Sequence, residues 1–138
     1  MAHAGQEIEG FGGMRLRLVE VGDELLEMEA TYSGEMGMPP EHLHPKQAES
    51  FEVLEGSMRA IVDGEERVYE AGDSFEVPAG TPHQMAAEGP ATIRWQVRPA
   101  LRTAEFFERL YGRGPGSAQE LGEDFFAEFA DEFRLAAS

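Results

Sequence analysis

Between Met14 and Val97 the chain is cut into short runs in which apolar and polar residues alternate, each closed by glycine, proline or an Asp-Gly pair. Leu16 and Leu18 are separated by Arg15 and Arg17, and after Gly22-Asp23 the series Leu26, Met28, Ala30, Tyr32 keeps the same period. Successive side chains of a strand point to opposite faces, so a period of two describes strands buried on one side. Further strand-like runs follow at Glu49–Leu54, Ser57–Val62, Glu65–Glu70, Ser74–Val77, His83–Ala87 and Ala91–Val97, with Asp63-Gly64 as a two-residue hairpin signal. Short strands at such intervals predict an all-β fold, a small antiparallel β-barrel, in which inward side chains share one interior.

That interior matters because three of the four histidines fall in two clusters about forty residues apart. The first is His42-Leu43-His44, followed by the turn residues Pro45 to Gln47 and by Glu49 at the head of an apolar run. Residues two apart on a strand lie ~6.5 Å from each other on one face, so His42 and His44 can aim at one point. The second cluster runs from Gly72 through Ser74–Val77 and the rigid turn of Pro78, Gly80 and Pro82 to His83. A lone histidine is more often a surface or core residue than a ligand. Three imidazoles with a carboxylate at matching spacing point instead to a metal site of His42, His44, Glu49 and His83.

These two clusters resemble those of the cupin family. Its first motif is matched by Gly37, His42-x-His44, Glu49 after four residues and Gly56 after six more; its second is matched by Gly72, Pro78-x-Gly80 and His83. The chain departs from the pattern in that Gly37 lies one residue nearer to His42, and Ala87 stands where an asparagine often ends the second motif. The resemblance covers roughly residues 30 to 98 and implies a double-stranded β-helix, or jelly roll, with a divalent transition metal held by the matched residues. It also implies a wide range of activities: dioxygenases, isomerases and epimerases, decarboxylases, cyclases, storage proteins and sensors.

With 27 acidic and 11 basic residues the formal charge is -16, which opposes binding to nucleic acid and to anionic membranes. A neutral or aromatic small molecule is the easier guest. No stretch approaches the ~20 apolar residues of a membrane span. The absence of cysteine excludes disulfides and thiolate ligands, and together these features lead us to expect a soluble cytoplasmic protein.

Residues 1–13 are rich in glycine and read as a flexible arm, residues 14–99 as the barrel, and residues 100–138 as a C-terminal helical extension. Thr103 can cap a helix through Tyr111, and Ser117 with Glu120 forms a capping box ahead of Leu121, Phe125, Phe129 and Phe133, whose spacing predicts an amphipathic helix against the barrel or a partner. A small barrel with an exposed sheet face, and an arm able to cross to a neighbour, lead us to expect a homodimer.

Three imidazoles and a carboxylate suit Fe, Mn, Ni, Co, Cu or Zn better than the all-oxygen ions Mg and Ca. Glu49 can serve as ligand, as general base, or as both. Met38, Phe51, Met85 and Trp95 are the candidate walls of a substrate pocket, although each is equally a filler of the barrel. The function expected is a metal-dependent, dioxygenase-type reaction on a small neutral or aromatic molecule. The alternatives are a non-oxidative isomerase or cyclase, and a non-enzymatic module that binds metal or ligand.

Overall fold

The computed structural model of the protein describes residues 2–10, 13–34, 37–111 and 125–135. Its strands in chain order are β1 (Glu7–Glu9), β2 (Arg15–Val21), β3 (Leu26–Tyr32), β4 (His42–Leu43), β5 (Ala48–Glu55), β6 (Ser57–Val62), β7 (Glu65–Glu70), β8 (Ser74–Val77), β9 (His83–Ala87), β10 (Ala91–Arg98) and β11 (Arg134–Leu135), with helix α1 at Thr103–Tyr111. They form two antiparallel sheets, β1-β2-β3-β10-β5-β8 and β11-β4-β9-β6-β7. The jelly-roll expectation holds, with one refinement. The edge strands of the two sheets do not pair with each other, so the architecture is a β-sandwich rather than a closed barrel.

The period-two runs fold as their pattern requires. Leu16 and Leu18 of β2, Leu26, Met28 and Ala30 of β3, and Phe51 and Val53 of β5 are buried between the sheets. On β10 the alternation alone allows either Ile93 and Trp95 or Arg94 and Gln96 to face inward. The structure turns Ile93 and Val97 inward with Trp95, which pairs with Phe51, and leaves Arg94 exposed on the other face. Asp63 and Gly64 both have positive φ and make the tight turn between Val62 and Glu65 of the β6–β7 hairpin. Gly56 is the single residue that carries the chain from β5 in one sheet to β6 in the other. Its φ is +75°, and a Cβ there would stand 2.3 Å from the carbonyl oxygen of Pro90, so the crossing needs glycine.

Both chain ends differ from expectation. In place of a loose arm, Glu7–Glu9 add β1 to the edge of β2, with Ile8 opposite Leu16 and buried. Gln6 Nε2 donates to Glu108 Oε2 of α1 at 2.8 Å, so these residues fold onto their own chain rather than offering a free arm to a neighbour. At the other end α1 begins at Thr103 as predicted, whereas the capping box at Ser117 and Glu120 lies outside the described residues. Residues 125–128 are helical, but the chain turns at 129–132 and enters β11. The aromatic stripe is therefore divided: Phe125 and Phe129 are buried against Phe106 of α1, while Phe133 continues to the histidine cluster.

Candidate metal centre

The two motifs meet because antiparallel pairing places His42 of β4 opposite His83 of β9. The potential ligand atoms of His42, His44 and His83 lie within 4.8 Å of one another. Glu49 reaches them from the other sheet, at the inward-facing start of β5. Its Oε1 stands 3.1 Å from His44 Nε2 and 3.0 Å from His83 Nε2. Two atoms bound at right angles to one metal through ~2.1 Å bonds stand ~3 Å apart, so this spacing suits a shared ion.

Hydrogen bonding selects the same atoms. Nδ1 of His42 lies 3.2 Å from the carbonyl oxygen of Pro40, Nδ1 of His44 lies 2.6 Å from that of Glu132, and Nδ1 of His83 lies 2.9 Å from that of Thr81. A carbonyl only accepts, so each Nδ1 carries the proton and each Nε2 is turned toward the cluster. Although His44 Nε2 and Glu49 Oε1 are close, their contact is not an aligned hydrogen bond: both atoms are buried and without a hydrogen-bond partner. Orphaned buried polar atoms are costly, and an ion between them would satisfy both. The second oxygen of Glu49 is accounted for, because Trp95 Nε1 donates to Oε2 at 2.7 Å. The residues present fit a divalent transition metal.

Without an ion the site is an electrostatic cluster. Burial pushes the His42 imidazole down to about 4, with His83 and His44 adding to the effect. Burial also opposes the charge on His44, but the Glu49 carboxylate outweighs it and raises the imidazole above its ordinary range. Glu49, which burial alone would raise, is held at about 2 by His44 and His83. The proton on His44 Nε2 must therefore leave before that atom can bind a metal, and affinity should fall as pH falls through the His44 range. The depressed His42 adds its competing proton only as the pH nears 4. A plot of log affinity against pH should slope downward toward acid and steepen at its acid end; a flat plot from about pH 8 to pH 5 would contradict this assignment.

The candidate pocket residues separate in the structure. Met85 is half-buried on the same face of β9 as His83 and packs against the core. Phe51 is buried between the rings of Phe75 and Trp95, at 4.9 and 5.6 Å between centroids. Trp95 is half-buried and hydrogen-bonded to Glu49, whereas Met38 lies half-buried in the loop before β4 without joining the packed core. A groove of about 270 Å³ is lined by residues including Ser50, Phe51, Glu52, Ser74 and Arg94, so it takes in Phe51 but not Met38, Met85, Trp95 or any of the three clustered imidazoles.

Three contributors had no functional reading in the sequence. Gln47, read only as a turn residue, is buried and donates through Nε2 to the carbonyls of Pro99 and Ala100 and to Thr103 Oγ1, tying the histidine loop to the start of α1. Glu132 contributes a backbone carbonyl. Phe133, whose only signal was the last place in a four-residue repeat, stacks on His42 with centroids 5.0 Å apart.

A two-sheet jelly roll brings histidines from both motifs to one point and defines a β-sandwich with a candidate metal site. Residues 28–97 match the cupin domain family, and the chain belongs to that family. It is 32% identical over 129 residues to quercetin 2,3-dioxygenase of Bacillus subtilis, covering 83% of this chain and 38% of that protein. The chain thus spans well under half the length of this relative. Among solved structures it resembles an RmlC-like cupin from Shewanella frigidimarina, with a TM-score of 0.63 and 25% identity over 70% of this chain and 85% of the other. KdgF from a Halomonas species also has a TM-score of 0.63, with 20% identity over 68% and 87% of the two chains, a likeness of fold. No helix among the described residues is long and apolar enough to cross a membrane.

Proposed function

We propose that this chain is a metal-dependent enzyme that carries out a dioxygenase-type reaction on a small neutral or aromatic molecule, with His42, His44, Glu49 and His83 as the metal ligands. The observation that carries the reading is the convergence of His44 Nε2, His83 Nε2 and Glu49 Oε1 while all three Nδ1 atoms face carbonyls. A bound redox-active ion would supply the site at which substrate and dioxygen are activated. The protein orients the imidazoles, excludes water through burial, and holds in Glu49 a carboxylate able to accept a substrate proton. Trp95 fixes that carboxylate through Oε2, leaving Oε1 toward the cluster. The net charge of -16 favours a neutral guest over a polyanion. The likeness to quercetin 2,3-dioxygenase favours the oxygen-dependent reaction over isomerisation, cyclisation or simple binding, and makes quercetin the first substrate to try.

The test is oxygen consumption by protein loaded with Fe, Mn, Ni, Co or Cu in the presence of quercetin and of aromatic metabolites recovered from lysate. Metal-loaded protein that binds such a molecule and returns it unaltered with and without oxygen would replace this reading with a binding module. The proposal also includes a homodimer in the cytoplasm, supported by the exposed sheet surfaces on which Val19, Val21 and Val68 stand open. Light scattering should give twice the mass of one chain, and a single-chain mass would reject the dimer.

A further inference from the structure

Two of the three imidazoles are held by a segment that lies outside both motifs. Strand β11 pairs with β4, with Leu135 opposite His42 and Arg134 opposite Leu43. Just before it, the Glu132 carbonyl accepts the Nδ1 hydrogen of His44 at 2.6 Å, the shortest of the three outer imidazole bonds. The Phe133 ring lies stacked on His42, 5.0 Å away and inclined by 23°, and meets His44 edge-on at 6.1 Å. His42 has the longest outer bond, 3.2 Å to Pro40, so the flat face of Phe133 is its second restraint. His83 differs from both, because Thr81 in its own turn holds it.

The segment has an anchor of its own. Both residues of β11 are exposed and the strand is too short to hold itself, so docking falls to the turn before it. Phe129 is fully buried, and Phe133 stacks on Phe106 of α1 at 5.2 Å. Arg102 and Arg109 both donate to Glu128 at 2.7 Å, and the buried Glu132 carboxylate accepts the backbone N–H of Arg102 at 3.3 Å. Helix α1 and residues 125–133 therefore clasp each other, and the clasp ends on His42 and His44.

We propose that Glu132 and Phe133 are positioning residues of the metal centre, so that affinity for the ion is set in part from the C-terminal segment. This inference rests on the metal-site reading above. A ligating imidazole binds well only if its ring plane is already aimed, and outer partners that fix the ring typically contribute 10- to 100-fold in affinity. Removing the Phe133 ring frees the face of His42 and loosens the turn that presents the Glu132 carbonyl.

The experiment is a Co²⁺ titration of the full chain, followed by calorimetry and by the visible absorption of bound Co²⁺. Phe133→Ala should bind about 10- to 100-fold more weakly, with an altered spectrum, while Phe133→Tyr keeps the stacked ring and stays near the natural chain. Tyr69→Ala removes a half-buried ring of β7 that stacks on Phe75, outside the clasp and the histidine cluster, and should leave affinity unchanged. If Phe133→Ala does not melt cooperatively, Phe133→Leu, which keeps bulk without a ring, takes its place and should bind more weakly than Phe133→Tyr. Natural affinity in the ring-less variant, or an equal loss in Tyr69→Ala, overturns the proposal while the metal reading stands. A natural chain that takes up no Co²⁺ overturns the metal reading and this inference together.

Discussion

A Glu49→Gln chain should turn over its substrate about 10²- to 10⁴-fold more slowly than the natural chain, the usual cost of losing a general base, while it keeps part of its metal. The amide preserves the shape of the side chain, and its oxygen can still face His44 and His83. What it removes is the carboxylate charge, which those two imidazoles hold on even in this buried setting. It also removes the anionic acceptor of the Trp95 indole, so a modest loss of order at Trp95 should accompany the kinetic effect. Metal content measured beside turnover separates the two roles of Glu49. If turnover falls only in proportion to metal lost, Glu49 is a ligand alone. If turnover is unchanged at full metal content, Glu49 has no part in the chemistry.

The part of this protein that follows local rules could be read from the sequence. Period two placed Leu16, Met28 and Phe51 in the interior, and the Asp63-Gly64 pair marked its hairpin. The histidines were legible because strand geometry and the turn around Pro78, Gly80 and Pro82 are both short-range. Their meeting needed only that β4 and β9 be neighbours.

What escaped was long-range or too short to show a period. Three residues, Glu7 to Glu9, cannot establish an alternation among glycines, so β1 was hidden. Phe133 keeps the four-residue spacing of a helix, yet the helical residues end at 128, the chain turns, and the Phe133 ring stacks on His42 and Phe106. No local pattern encodes the pairing of residue 135 with residue 42. The orienting partners of the imidazoles were invisible for another reason: all three are backbone carbonyls, which any residue supplies.

Elemental analysis decides whether His42, His44, Glu49 and His83 hold one ion. The measurement compares the natural chain with a His42→Ala, His44→Ala chain, both purified without chelator and then equilibrated with a mixture of divalent transition metals. The natural chain should carry about one ion per chain. The double variant should carry close to none, because the two atoms left, His83 Nε2 and Glu49 Oε1, form an incomplete site for ions that take four to six ligands. Equal metal in both chains, or none in the natural chain, would contradict the account.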